Sequence, residues 1–274
     1  MDFFIENGRV ISTKEANLGI FLLEDSFVFS QKVWFGHGGI PLLNENIESI
    51  RLQLQLLGAE LPGLFCNYRE LFRLCKRMLN KNKFYQSGHI LFRFFISDKN
   101  VDFVVTCQNY SGFDFPMKGE GILVNFADYT KNSQSQLSVF PCYNQNLWKA
   151  AIARIRKSAF QNSIFLNEYG KVCDGIFSNL FFIKGNTLYT PSIKTGCFCD
   201  IIRKIILQEA ATLQLEIVES SEIDAEQLMD ADELFFAGEA RGFEWILGIE
   251  NKRFLHNVSI ILHERVNQHL KRFV

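Results

Sequence analysis

The sequence has no marked excess of charge of either sign. It carries 29 lysines and arginines against 30 aspartates and glutamates, a formal net charge of -1. It therefore lacks the basic surface typical of proteins that bind nucleic acid or anionic membranes, and we expect neither partner. No apolar run reaches the ~20 residues of a membrane-spanning helix. The opening "MDFFIENGRVIS" has no basic segment followed by an apolar run, so we expect no signal peptide and a cytoplasmic location.

Paired cysteine motifs are also missing. The seven cysteines are an odd number without a C-x-x-C pair, which favours reduced thiols over a disulfide framework. Neither the cysteines nor the five histidines have the spacing of a standard zinc site, so no metal is expected. What the chain does have is 47% hydrophobic residues, including 28 phenylalanines. This composition predicts a sizeable core and a large strand content.

The first part of the chain predicts an α+β domain over residues 1–112. "FFIENGRVIS" is typical of a hairpin with a turn at Asn7-Gly8, and "IFLLEDSFVFSQKVWF" of a strand. "NENIESIRLQLQLLGAEL" has helical spacing, with Asn44 or Asn46 able to cap its start and Gly58 placed to end it. A second helix, "YRELFRLCKRMLNKN", precedes a predicted antiparallel pair, "HILFRFFIS" and "VDFVVTCQ".

A segment rich in Gly, Pro and charge, residues 113–120, is the best linker candidate, and it leaves residues 121–274 as a second domain. Strands are predicted at "GILVNF", "QLSVF", "SIFLNEYGKV", "SNLFFIKGNTLYT" and "ELFFAG". Helices are predicted at "NQNLWKAAIARIRKSAF", at "DIIRKIILQEAATLQ" with Asp200 at its start, and over residues 256–272.

The second domain carries a pattern that resembles a known family. The stretch "FLNEYGKVCDGIFSNLFFIKGNTLYTPSIKTGCFCDIIRKIIL" contains, in order, Asp174-Gly175, Ser178-Asn179, Tyr189-Thr190-Pro191, Gly196 and Arg203. It is similar to the signature region of class IV aminotransferases, the fold-type IV pyridoxal-phosphate enzymes that include branched-chain and D-amino-acid aminotransferases and aminodeoxychorismate lyase. "IENGRVIS" and "IPLLNENIESIRLQLQLLG" resemble the opening hairpin and first helix of that family.

The resemblance implies an α+β, two-domain, D-amino-acid-aminotransferase-like fold. A small N-terminal α/β domain would be followed by a larger domain with a barrel-like sheet. It also implies a homodimer and a site for pyridoxal phosphate. That chemistry needs a lysine for the Schiff base, a carboxylate facing the pyridine nitrogen, and donors for the phosphate.

The carboxylate position matches Asp174, one methylene shorter than the glutamate that the family usually has. Asp-Gly is also a common turn pair, so a turn aspartate remains an equal alternative. The lysine position matches Pro141, which has no amine, and Asn144 supports this register.

Lys149 takes the role of the catalytic lysine only if this register is wrong. It lies roughly 90° from the centre of the predicted buried stripe of its helix. That stripe consists of Trp148, Ile152, Ile155 and Ala159. An exposed lysine on the flank of the helix is favoured over a catalytic one.

The phosphate positions are altered as well. Ser49 stands where the family has a phosphate-binding arginine, and Arg51 lies about 200° away around the helix. The remaining family positions for cofactor binding are Ile201, Ile202 and Ala240. Asp200 is expected to cap its own helix and to repel a phosphate, and Glu239 adds a second negative charge.

Two further groups have alternatives left open. Arg93 matches a basic residue that faces the substrate carboxylate in the family, but it could equally point to solvent. Cys142, Cys173, Cys197 and Cys199 fall on segments that line the cofactor pocket in the family. Filling space left by an absent cofactor is favoured for them over metal binding.

Three functional hypotheses follow. The first is a family member that has lost pyridoxal-phosphate catalysis, with no cofactor, and that binds another small ligand in the old cleft. The second is an active aminotransferase or aminodeoxychorismate lyase with a displaced lysine, which would bind pyridoxal phosphate. The third is a dimeric scaffold or regulatory protein. The replaced lysine and the acidic phosphate positions favour the first and third over the second.

Overall fold

The structure is a computed structural model that describes residues 1–16, 19, 27–97 and 100–274. The chain divides into two compact units. Unit 1 comprises Met1–Phe115 with Leu270–Val274, and unit 2 comprises Pro116–His269. The described residues form fourteen strands and six α-helices. No helix in these ranges is long and apolar enough to cross a membrane.

Unit 1 is built on an antiparallel sheet with the described strand order β2-β1-β5-β4-β3. The strands are β1 (Phe3–Glu6), β2 (Arg9–Ser12), β3 (Phe27–Phe35), β4 (Ser87–Ile96) and β5 (Val101–Tyr110), and the helices are α1 (Leu43–Leu56) and α2 (Tyr68–Lys81). Alternation along β4 puts Phe92 and Phe94 on one buried face. The ring of Phe65 contacts both of them, so aromatic packing holds this face.

The predicted elements of unit 1 are largely confirmed. The hairpin turns at Asn7-Gly8, where both residues have positive φ. Gly58, with φ of 74°, follows the end of α1 as predicted. The strand predicted over residues 20–35 is observed as β3 from Phe27, while residues 20–26 lie outside the described residues.

The predicted cap of α1 is wrong. The N-cap is Leu42, which makes no side-chain cap hydrogen bond. Asn44 is exposed, and Asn46 is buried inside the first turns of the helix. Asn46 donates to the Leu42 carbonyl and accepts from Gln31, so tertiary packing uses the amide that the local pattern assigned to the cap.

Unit 2 is built on a sheet that closes on itself. Within residues 116–269, all of which are described, the order β9-β12-β13-β6-β7-β8 returns to β9 through the pairing of β8 with β9, which gives a six-stranded barrel. The ring strands are β6 (Ile122–Lys131), β7 (Asn162–Asn167), β8 (Val172–Gly175), β9 (Ser178–Lys184), β12 (Glu233–Gly238) and β13 (Gly242–Ile249). Strands β10 (Thr187–Pro191) and β11 (Glu216–Ser220) extend the sheet from β9, and β14 (Lys252–Arg253) pairs with β13.

Four helices complete the chain: α3 (Pro141–Ile155), α4 (Ile201–Thr212), α5 (Ala225–Met229) and α6 (Asn257–Lys271). The predictions of α4 with Asp200 at its start, and of a helix over 256–272, are confirmed. The sequence did not indicate α5, β11, β13 or β14. In β13 the buried positions include Glu244, so the hydrophobic pattern that marks the other barrel strands is interrupted.

The segment before α3 differs from its prediction. Residues 136–140, "QLSVF", are turns and not a strand, with hydrogen bonds from Ser138 N to Ser135 O and from Phe140 N to Leu137 O. The helix begins at Pro141, three residues earlier than predicted. Proline is suited to the first helical position because its φ is already helical and its missing N–H has no helical partner there.

The buried stripe of α3 was also partly wrong. Trp148 and Ile155 are buried as predicted, but Ile152 is 36% exposed and Ala159 lies exposed beyond the end of the helix. The buried face is completed instead by Ala151 and by residues of the first turns, which the earlier helix start brings into register.

Candidate functional site

Asp174 is a fully buried carboxylate in the wall of the barrel. It lies in β8, whose four residues are all buried, and is followed by Gly175, where a Cβ would come within 2.4 Å of the Phe236 ring. The Asp174 Oδ2 accepts hydrogen bonds from the Phe198 N–H and from Lys131 Nζ. Its Oδ1 has no hydrogen-bond partner among the described residues. Burial raises the pKa of Asp174, and the Lys131 ammonium and the Phe198 N–H oppose that rise.

Lys131, which the sequence reasoning missed, is the partner of Asp174. Its side chain and that of Asp174 are both 0% exposed, and the two form an ion pair. Lys131 is the last residue of β6, and the pairing of β6 with β7 changes register between Phe126 and Thr130 before Lys131 comes to lie opposite Asn167. The irregularity breaks the alternation of β6, so the residues just before Lys131 are exposed and no pattern marked the lysine as buried.

Asp200 caps α4, as predicted, and also reaches a second segment. Its carboxylate accepts from the Ile202 N–H at 2.9 Å and, through both oxygens, from the Glu239 N–H at 3.0 Å. Its own N–H donates to Asn179 Oδ1. Burial raises the pKa of Asp200 to about 6, and the two N–H donors oppose the rise.

Gly238 allows this close approach. A Cβ there would lie 2.7 Å from the Phe177 carbonyl oxygen and 3.2 Å from Asp200 Oδ2. Glu239 itself is 2% exposed, so two acidic side chains are buried where α4 begins and β12 ends. Of the two isoleucines assigned to family cofactor positions, Ile202 is buried and Ile201 half-buried, and Ala240 is half-buried beside Glu239.

Arg203 is also buried, and its contacts are structural. It donates to Thr190 Oγ1 and the Pro191 carbonyl in β10 and forms an ion pair with Glu219 in β11. These bonds tie the start of α4 to two neighbouring strands.

Pro141 and Lys149 both lie on α3. Pro141 is buried at its first position, and Lys149 is exposed. Asn144 is buried and donates to the carbonyls of Ser138 and Phe140, which braces the turns before the helix.

The four cysteines do not behave alike. Cys142, Cys173 and Cys197 are buried, whereas Cys199 is exposed, so a space-filling role fails for Cys199. Burial raises the pKa of the Cys142 and Cys197 thiols to about 11, which makes them weak nucleophiles at neutral pH. The described residues contain no group of three His, Cys, Asp or Glu side chains that could hold a metal ion.

The remaining predicted site residues lie in unit 1. Arg93 is half-buried on the face of β4 opposite Phe92 and Phe94. Ser49 is half-buried in α1 and its hydroxyl accepts from Gln53. Arg51 is paired with Glu48 on the helix surface.

The antiparallel sheet of unit 1 and the closed barrel of unit 2 match the fold of solved branched-chain aminotransferases. The chain aligns with a branched-chain aminotransferase from Thermoproteus uzoniensis, solved with norvaline, at a TM-score of 0.83 and 20% identity over 99% of this chain and 95% of that one. It aligns with the pyridoxal-phosphate form of a branched-chain aminotransferase from Thermobaculum terrenum at a TM-score of 0.85 and 17% identity over 100% and 95%. The expected fold class is thereby confirmed.

The sequence comparison identifies the family itself. The family described as amino-transferase class IV matches residues 32–246. The aminodeoxychorismate lyase of Bacillus subtilis is 27% identical over 243 residues, covering 83% of this chain and 80% of that protein. The chain belongs to the class IV aminotransferase family.

Proposed function

We propose that this chain is a class IV aminotransferase homologue that has lost pyridoxal-phosphate catalysis and acts by binding another small ligand. The observation that carries the proposal is the buried ion pair of Lys131 and Asp174. By the family resemblance, Asp174 is the carboxylate that would face the pyridine nitrogen. Its charge is already balanced by a lysine of the chain itself, so the cofactor would have to displace that lysine.

The residues at the phosphate positions do not fit the cofactor either. A phosphate ester carries nearly two negative charges and needs compensating donors. The N–H groups of Ile202 and Glu239 are engaged by the Asp200 carboxylate, and the Glu239 side chain is buried beside them. Together with Pro141 at the position of the Schiff-base lysine, this supports a site that does not use pyridoxal phosphate.

A second candidate function is favoured by one observation. Among the described residues, Lys131 is the one lysine that is buried. It contacts Asp174, which matches the cofactor-binding carboxylate of the family. If a displaced lysine carries the chemistry of an active enzyme, Lys131 is a better candidate for it than the exposed Lys149.

Borohydride reduction separates these two functions. The purified protein is incubated with pyridoxal phosphate, reduced, digested, and mapped by mass spectrometry, with the Thermobaculum terrenum enzyme as positive control. We expect no stoichiometric adduct, because neither Pro141 nor a paired, buried ammonium offers a free amine. A stoichiometric adduct on Lys131 or Lys149, absent from the corresponding lysine-to-methionine variant, would show that this lysine forms a Schiff base with pyridoxal phosphate. That result would overturn the proposal.

A further inference from the structure

Asp174 has the properties of a cation-binding position. A fully buried carboxylate is stable only when an opposing charge and hydrogen-bond donors compensate its lost hydration. Asp174 receives one backbone N–H and one ammonium, both on Oδ2, while Oδ1 has no partner among the described residues. The carboxylate therefore still has an acceptor that a bound cation could use.

Lys131 reaches Asp174 from the protein surface. Residues 128–130 before it and Asn132 after it are exposed, yet the Lys131 side chain is 0% exposed. The backbone of Lys131 therefore lies between exposed residues, while its four-carbon stem extends inward to Asp174. The Lys131 ammonium has three N–H donors, and it donates to Asp174 Oδ2.

A surface cleft lies beside Lys131, both along the chain and across the sheet. It has a volume of about 400 Å³ and is lined in part by Ser133, Asn167 and Thr195. Ser133 is two residues from Lys131, and Asn167 pairs with Lys131 in the sheet. The Thr195 carbonyl accepts from Asn167 and from Cys173, so a residue that lines the cleft is hydrogen-bonded to the sheet partner of Lys131 and to the chain neighbour of Asp174.

We propose that Asp174 is the end of a narrow pocket for a primary ammonium group, and that Lys131 fills this pocket as a tethered ligand of the chain itself. A small molecule with a primary alkylammonium end would enter from the cleft when the Lys131 side chain is withdrawn. The proposal rests on the proposed function, because a site that holds pyridoxal phosphate would use Asp174 for the cofactor. It names the class of ligand that the altered site can take.

Chemical rescue of Lys131→Ala tests the proposal. Alanine removes the three terminal carbons and the amine, and n-propylammonium replaces those atoms. We expect the melting temperature of Lys131→Ala to lie below that of the wild type and to rise saturably with n-propylammonium chloride, measured against equal concentrations of sodium chloride. The wild-type protein should need at least about tenfold more of the amine for any comparable shift, since its pocket is filled.

Two variants serve as controls. Lys131→Met keeps the length of the side chain without its charge, so its pocket remains filled and we expect no saturable shift. Lys131→Ala combined with Asp174→Asn opens the pocket but removes its negative charge, and we again expect no shift. Equal shifts in Lys131→Ala and in either control, or no shift in folded Lys131→Ala, would refute the pocket.

If Lys131→Ala does not fold alone, it is refolded with and without n-propylammonium and followed by circular dichroism. Recovery of the native spectrum only with the amine supports the proposal, and failure under both conditions contradicts it. None of these measurements involves pyridoxal phosphate. A Schiff-base adduct in the borohydride experiment would refute the proposed function without predicting the outcome of the rescue, and the two failures are therefore distinguishable.

Discussion

The ion pair with Lys131 changes the role that can be inferred for Asp174. From its position in the family motif, Asp174 would be expected to bind the cofactor. In the structure it forms a buried ion pair with Lys131 instead. Such pairs add little net stability compared with apolar residues of the same shape, but breaking one leaves an uncompensated buried charge. The consequence is measurable in single and double variants.

We predict that Lys131→Met lowers the free energy of unfolding at pH 7 by about 3–5 kcal/mol, because Asp174 would remain buried without its counter-charge. The double variant Lys131→Met with Asp174→Asn should recover most of that loss, since the neutral amide still offers an oxygen to the Phe198 N–H. Urea unfolding of both variants and of the wild type measures the difference. Additive losses in the double variant would contradict a coupled pair.

Asp200 should make stability depend on pH. Burial raises its pKa from 3.8 to about 6, so the folded protein binds this proton more tightly than the unfolded chain does. This tighter proton binding contributes roughly 3 kcal/mol to the free energy of unfolding. The contribution is fully present below pH 3.8 and is lost as the pH rises through about 6.

The comparison that isolates this effect is the wild type against Asp200→Asn, unfolded in urea from pH 4 to pH 8. We expect the stability difference between the two to change between about pH 4 and pH 6 and to level off above pH 7. A difference that is constant over this range would mean that Asp200 has an ordinary pKa in the folded protein.

At the scale of elements, β13 depends on a glycine at its first residue. Gly242 has φ of 73°, and a Cβ there would come within 2.1 Å of the Pro116 carbonyl oxygen. Any side chain at Gly242 would therefore be strained by the left-handed backbone conformation and would also clash with the backbone of Pro116.

Gly242→Ala should therefore destabilise the protein by about 3 kcal/mol, seen as a lower urea midpoint with an unchanged slope. Gly119→Ala is the matched control, because a Cβ there meets nothing within 4 Å. Equal effects of the two substitutions would show that β13 can shift to accommodate a side chain.

Most elements followed from periodicity, and the failures have local physical causes. Helices α1, α2 and α4 carry apolar residues at spacings of three and four, which is why the sequence predicted them correctly. The segment "QLSVF" has strand-like composition, but it is folded back by turns into the proline that begins α3. Strand β13 was missed because a buried glutamate and two glycines interrupt its apolar pattern.

The candidate site was only partly visible in the sequence. Asp174 and the capping role of Asp200 could be predicted because they lie in a recognisable motif and at the start of a helix. Lys131 could not, since its burial depends on a register change in β6 and on an ion pair with a residue 43 positions away.

At the scale of the whole molecule, the chain contains two compact units of different construction. Unit 1 is an antiparallel sheet with two α-helices, and unit 2 is built on a closed barrel. Closure removes the free edges of the ring strands, so the carboxylate in the barrel wall is held by strands on both sides.

We propose, from the family resemblance, that two such chains form a homodimer. Light scattering after size exclusion should give about twice the 31.7 kDa mass of the chain, with or without pyridoxal phosphate, because the proposed function does not require that cofactor for assembly. A monomer mass at micromolar concentration, or a dimer that appears only with the cofactor, would contradict this prediction.

The sequence by itself determined the family pattern, the order of most strands and helices, and the absence of a lysine at position 141. These features are carried by neighbouring residues, for which spacing and composition are direct signals. The tertiary structure alone decided that Lys131 neutralises Asp174 and that Asp200 engages the N–H of Glu239 as well as that of Ile202. These contacts join residues far apart in the chain, and barrel closure and burial, which no local pattern records, bring them together.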